Sequence, residues 1–199
     1  MSAGQVDVET NRFLMLVYRV PSQPSRARVA VWRELKRLGG FYVQQAVCVL
    51  PDRPELQSAL ARVRDRIEEA DGRSLFFVLD NLASHETQQL TEGFRSNSAK
   101  EYAEIIEECE TKFFKEIEFE RFRENFTYEE TEEIRQDLEK LQRWLAKVEQ
   151  RDWMGAAGRE DARVAVAECE TMLEQFEVDV YERVGEDDQA TSSEPPAKP

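Results

Sequence analysis

The sequence predicts an α+β protein: a ferredoxin-like βαββαβ unit followed by an antiparallel helical unit of about three helices. Three observations predict it. Apolar, β-rich runs at 12–20, 41–50 and 73–80 alternate with two amphipathic helical patterns in the order β-α-β-β-α-β, the split βαβ arrangement. After residue 92 the strand-like runs stop and helical periodicity takes over. Charge divides at the same place: residues 1–95 carry 13 Lys/Arg against 12 Asp/Glu, and residues 96–199 carry 14 against 29. Such asymmetry fits two units with different tasks.

Each element has a local cause. Residues 1–11 are polar and aperiodic, which predicts a flexible N-terminus. Arg12 to Val20 reads RFLMLVYRV, a buried strand ended by Pro21, Ser22, Pro24 and Ser25. Ser22 or Ser25 can cap the helix that follows over about 25–38, with Pro24 tolerated at its start. Gly39-Gly40 terminates it. Phe41 to Leu50 forms either a short hairpin or a bent strand. Pro51 and Pro54 open a second helix with Leu56, Leu60, Val63 and Ile67 on one face, and Asp71-Gly72 turns the chain into a buried strand, RSLFFVLD. These elements make a first domain over 12–92.

A second, acidic helical domain is expected over 93–184. Phe94 to about Arg123 carries Tyr102, Ile105, Ile106, Cys109, Phe113 and Ile117 on one broad face. Thr127 and Glu130 form a capping box for a helix with Ile134, Leu138, Leu141, Leu145 and Val148. Met154 to Gly158 is a tight loop, and a last helix runs from Arg159 to Val184. Residues 185–199, GEDDQATSSEPPAKP, have the composition of a disordered tail.

The totals exclude several classes. No apolar run approaches the roughly 20 residues of a membrane helix, and the opening MSAGQVDVETNR has no secretory signal pattern. Cys48, Cys109 and Cys169 are widely spaced and odd in number, which fits neither a disulfide framework nor a metal pair. A reduced cytoplasm is the expected location. His85 lies in a polar linker without a placed nucleophile. Glu104, Glu107, Glu108 and Glu110 lack the histidine partners of a carboxylate metal site and read as a solvated face. Cys48 is either a packed thiol or, if exposed, a redox-active one. Trp144 and Trp153 are expected in the core of the helical bundle. Arg151, Asp152 and Arg159 flank the Gly-Ala loop, either as an anion pocket or as pins to the acidic helices.

The candidate functional residues lie in the first helix and its approach. Val31, Trp32, Leu35 and Leu38 share a face that should pack on the sheet. Arg26, Arg33 and Arg37, with Lys36 beside them, form an outward stripe, either a phosphate-backbone (DNA) contact or an ordinary solvated face. Arg28 projects from the apolar side near the helix start, and Arg19 ends the first strand. With Ser22 and Ser25 they form a candidate small-anion site; alternatively Arg28 pairs with a carboxylate such as Asp80. A chain of net charge −14 that gathers cations in one place is built to meet an anion there.

VYRVPSQPSRARVAVWRELKRLGGFYVQQAVCVLPD resembles the opening of the N-terminal domain of the ChrB chromate-resistance regulators. The likeness continues through FRSNSAKEYAEIIEECE and FTYEETEEIRQDLEKLQRWLAKVEQRDWMGAAGREDA and covers roughly residues 12–184. It implies a transcriptional regulator that binds the promoter of chromate-resistance genes and responds to chromate or a similar oxyanion. Longer members carry a further C-terminal domain. The first unit is also similar in layout to the small CRISPR spacer-acquisition nuclease and to the matching domain of phenylacetate-catabolon repressors. That nuclease holds a metal on an aspartate after the strand-one tyrosine. Arg19 stands at that position here, which favours binding over hydrolysis. The expectation is a non-enzymatic homodimeric regulator without cofactors. The alternative is an accessory oxyanion-binding or protein-interaction module that does not bind DNA.

Overall fold

In a computed structural model of the chain, residues 12–23 and 25–192 are described, with side chains to 184. The flexible segment expected at 1–11, Pro24 and residues 193–199 of the expected tail lie outside the described residues. Strand β1 (Phe13–Arg19) is followed by helix α1 (Ser25–Arg37), strands β2 (Phe41–Gln44) and β3 (Val47–Pro51), helix α2 (Pro54–Glu69) and strand β4 (Arg73–Leu79). Helix α3 (Ser84–Glu108) continues through a π-helical turn, Cys109–Phe113, into α4 (Phe114–Phe122). Helices α5 (Tyr128–Arg151) and α6 (Arg159–Ser192) complete the order. The chain divides into two compact units. One holds residues up to Ser98 together with Arg151–Ala156; the other holds Ala99–Gln150 and the chain from Ala157 onward.

In the first unit the four strands lie in the order β2-β3-β1-β4, every neighbour antiparallel. β1 and β2 therefore run in the same direction with β3 between them, which is the ferredoxin-like topology. Alternation along β1 sends Leu14 and Leu16 toward α1 and α2, where they pack with Val31, Leu35, Cys48, Leu50, Leu56, Leu60, Val63 and Ile67. Phe13 and Val49 point to the opposite face, against Phe94. Each such fully buried aliphatic side chain is worth roughly 2 kcal/mol in removed apolar surface.

Three expectations are corrected here. The run 73–80 is not a buried strand: β4 is the sheet edge, and Leu75 (61 %), Phe77 (42 %) and Val78 (41 %) are exposed. Trp32 does not join the core beside Val31 and Leu35; it is 47 % exposed, because one step of 100° carries it to the rim of the helix. Trp153 is not part of the bundle core. Its indole N–H donates to the carbonyl of Leu38 at 2.9 Å and its ring packs on the α1–α2 core of the first unit. Gly39 (φ +77°) makes room for it, since a Cβ there would lie 2.6 Å from Trp153 Nε1.

In the second unit, Ile105, Cys109, Phe113 and Ile117 recur every four residues and are all buried. On a regular α-helix that spacing drifts about 40° per step. The wider π turn between Cys109 and Phe113 counters the drift and keeps the four on one face. It also sets Cys109 near Cys169 of α6, two buried reduced thiols. Thr127 caps α5, accepting the Glu130 N–H at 3.2 Å, while the Glu130 carboxylate turns to Asn125. α3 begins at Ser84, ahead of the expected Phe94, so His85 lies in a helical first turn and not in a linker. The segment holds no proline, and its Gly93 together with a shortage of apolar residues leaves no periodicity to signal the helix.

Partial burial, and then the surrounding Asp137, Glu130, Glu120 and Glu133, raise the Glu116 carboxyl above the ordinary carboxylate range. A raised folded-state value means the associated stability is fully present below about pH 4.5 and is lost as pH rises through the shifted value. Glu116→Gln is therefore expected to raise the melting temperature at pH 7, with the gain vanishing near pH 4. Parallel thermal melts at the two pH values check it.

Candidate functional site

The first unit contains a cleft of about 730 Å³ at the end of β1. Its walls come from three elements. β1 supplies Tyr18 and Arg19, with Val20 just beyond. The first turns of α1 supply Arg28, Val29 and Trp32. The β2–β3 hairpin supplies Tyr42, Gln44, Gln45 and Ala46.

Local backbone rules explain the convergence. Ala46 takes a left-handed conformation (φ 64°), closing the two-residue turn between β2 and β3. Such a conformation costs an L-residue about 1–2 kcal/mol. The Tyr18 N–H donates to the Ala46 carbonyl at 2.9 Å, which clips the hairpin tip to β1 and carries Gln44 and Gln45 to the rim. Tyr18 and Tyr42 meet hydroxyl to hydroxyl at 2.9 Å. One of the two donates to the other, so one O–H is left to offer a ligand. Burial raises both phenols, and their mutual hydrogen bond lowers Tyr18 while raising Tyr42. Both stay neutral at ordinary pH.

Of the sequence-predicted anion residues, Arg19 and Arg28 line this one cleft. Ser22 and Ser25 are exposed near the start of α1 and are not among its walls. Among the described residues neither guanidinium has an ion-pair or side-chain hydrogen-bond partner. The proposed pairing of Arg28 with Asp80 does not form: the register sets Phe13 against Leu79 and Arg19 against Arg73, so Asp80 lies at the far end of the sheet. The same register puts two arginines directly opposite each other, an arrangement unfavourable on its own. Two cationic side chains along one concavity make it positively charged, which favours an anion there. Arg73 was not legible as a neighbour, because strand pairing is non-local.

The predicted DNA stripe is exposed. Arg26, Arg33 and Lys36 face solvent, while Arg37 is engaged by Glu34 through Nε at 3.1 Å and a terminal nitrogen at 2.7 Å. That bond, with Arg66 and Arg62 of α2 adding to it, lowers the Glu34 carboxyl. The basic face of α1 therefore continues onto α2, which the helical wheel of α1 alone does not reveal. An exposed pair such as Arg37–Glu34 is worth about 0–1 kcal/mol and is readily exchanged for a phosphate.

Other candidates resolve into structure. Cys48 is buried, and burial pushes its thiol up to about 12, so it stays protonated. Asp152 accepts the Ala156 N–H at 3.0 Å inside the Gly-Ala loop, and Arg159 binds Glu149 at 3.2 Å. No group of acidic, histidine or cysteine side chains with metal-binding geometry occurs among the described residues, and no helix there is long and apolar enough to cross a membrane.

Fold and site together define a class: a ferredoxin-like unit bearing a cationic cleft and a basic helical face, in one chain with an acidic helical unit. No curated protein and no solved structure matches the chain. The family model described as "Protein ChrB, N-terminal" matches residues 28–187. The chain belongs to that family and is a chromate-resistance-related protein. The match begins at Arg28, so Arg19 precedes it.

Proposed function

We propose that the protein is a chromate-responsive transcriptional regulator, a non-enzymatic cytoplasmic homodimer that holds promoter DNA on its basic face and reads an oxyanion in the cleft. The observation that carries the reading is the pair of arginines, Arg19 and Arg28, that line one cleft beside an exposed basic helix and have no ion-pair or side-chain hydrogen-bond partner among the described residues, within a chain of net charge −14. An anion with different affinity for the DNA-competent and released forms shifts the balance between them. Support for self-association comes from the second unit, where Phe119, Phe122, Tyr128, Val178 and Tyr181 are large and exposed. The Arg121–Asp179 pair at 2.9 Å brings the end of α4 beside α6, so Phe122 and Tyr181 lie at one end of the bundle.

The accessory-module alternative draws on the same charge balance, because the acidic second unit opposes DNA approach. A promoter shift assay over a salt series separates the two. The regulator reading expects a sequence-dependent shift that weakens steeply with salt and is relieved by chromate more than by sulfate. Changing Arg26, Arg33 and Lys36 together to alanine is expected to lower the salt slope by about one unit per phosphate contact removed. A chain that shows neither salt dependence nor promoter preference is the accessory module instead.

A further inference from the structure

The cleft is much larger than a tetrahedral oxyanion requires. Four waters, a fair stand-in for four oxygens, occupy about 120 Å³ in the liquid, against about 730 Å³ here. That capacity is in the range of sites for whole organic ligands, roughly 300–1,000 Å³. Its chemistry is also graded. Arg19 and Arg28 are cationic, while Trp32 presents an indole left 47 % exposed among Val20, Val29 and Ala46. Gln44 and Gln45 bring two carboxamides to the rim, and among the described residues neither has a side-chain hydrogen-bond partner. A simple oxyanion needs the arginines and nothing else in this set.

We infer that the cleft binds a nucleotide unit, with its phosphate between Arg19 and Arg28, its base against the Trp32 indole and the base edge met by Gln44 and Gln45. Guanidinium forks match phosphate oxygens bidentately. An exposed indole is a stacking platform for any base. Glutamine carboxamides supply the donor–acceptor pair that base edges present, adenine in particular. Chromate and sulfate, sharing the charge and tetrahedral shape of the phosphate, would compete at the arginines alone. The inference rests on the assignment of Arg19 and Arg28 to an anion in the reading above and extends it to the rest of the cleft. The nucleotide unit has two sources, a free mononucleotide or an unpaired residue of a single strand.

The test is calorimetric titration of the full chain with AMP, GMP, adenosine, inorganic phosphate, chromate and a short single-stranded oligonucleotide. AMP or the oligonucleotide is expected to bind at least about tenfold more tightly than phosphate, chromate or adenosine. Trp32→Ala, at an exposed position, is expected to remove about tenfold or more of that affinity, and Gln44→Ala with Gln45→Ala to erase the difference between AMP and GMP. Tighter binding of the oligonucleotide than of AMP, lost in Trp32→Ala and kept when Arg26, Arg33 and Lys36 are changed to alanine, assigns the site to a strand; binding of the oligonucleotide that does not exceed AMP in that variant assigns it to a free nucleotide. Phosphate or chromate binding as tightly as AMP, or a Trp32→Ala protein that binds AMP like the parent, overturns the inference. A promoter shift on the same preparation keeps the failures apart. Promoter retention without nucleotide preference overturns the nucleotide assignment alone, and nucleotide binding without promoter retention overturns the regulator alone.

Discussion

Changing Arg19 and Arg28 together to alanine is expected to weaken binding of anions in the cleft by about 100-fold or more. Each guanidinium supplies charge-assisted hydrogen bonds worth roughly 1.5–3 kcal/mol, and tenfold in affinity corresponds to about 1.4 kcal/mol. Both side chains are exposed and unpartnered among the described residues, so the fold should tolerate their loss to within about 0.5 kcal/mol. The conservative change Arg28→Lys keeps the charge but loses the planar fork, and an intermediate affinity is expected. Calorimetric titration with chromate, alongside a thermal melt of each variant, checks both parts. Unaltered affinity in the double variant would move the anion elsewhere.

Gly39→Ala is expected to destabilise the first unit by about 3 kcal/mol or more, lowering its melting temperature by at least about 12 °C. Two independent costs act at this position. At φ +77° an L-side chain meets the left-handed penalty of about 1–2 kcal/mol. Its Cβ would also stand 2.6 Å from Trp153 Nε1 and 2.7 Å from the Arg151 carbonyl, so the indole must shift and its bond to the Leu38 carbonyl is lost. The second cost has its own signature. Trp153→Phe removes the same donor, at about 1–3 kcal/mol for the carbonyl left behind. In a double-mutant cycle the two changes should be markedly less than additive. Additive effects would mean that Gly39 serves the turn and not the indole.

Much of the architecture was legible because punctuation and periodicity agree. Pro21 and Gly39-Gly40 bracket α1, Pro54 opens α2, and the i, i+4, i+7, i+11 spacing of Leu56, Leu60, Val63 and Ile67 names its buried face. What stayed hidden depends on contacts between distant residues. Nothing local marks RSLFFVLD as an edge strand; its exposure follows from the strand order. Trp153 meets Leu38 from 115 positions away, and Cys109 meets Cys169 of α6 from a separate helix. Trp32 sits one 100° step from Val31, enough to turn it from the core to the rim of the helix.

The site was legible in part for the same reason. Arg19 and Arg28 flank a Pro-Ser loop, so sequence proximity alone placed them together. Gln44 and Gln45 read as ordinary polar turn residues, and only the clip from Tyr18 to Ala46 brings them to the same cleft. Arg62 and Arg66 join the α1 face through helix packing, which the sequence pattern of either helix omits.

In the proposed regulator the Arg19–Arg28 cleft reads the anion and the α1 face holds the DNA. The most direct measurement is the ratio of promoter affinities with and without chromate, at one salt concentration, in the parent chain, in the Arg19→Ala/Arg28→Ala variant and in the Arg26→Ala/Arg33→Ala/Lys36→Ala variant. The ratio is predicted to collapse to one in the cleft variant and to persist in the helix variant, whose promoter affinity falls in both conditions. A cleft variant that keeps the full chromate ratio, or a helix variant that binds promoter like the parent, would contradict it.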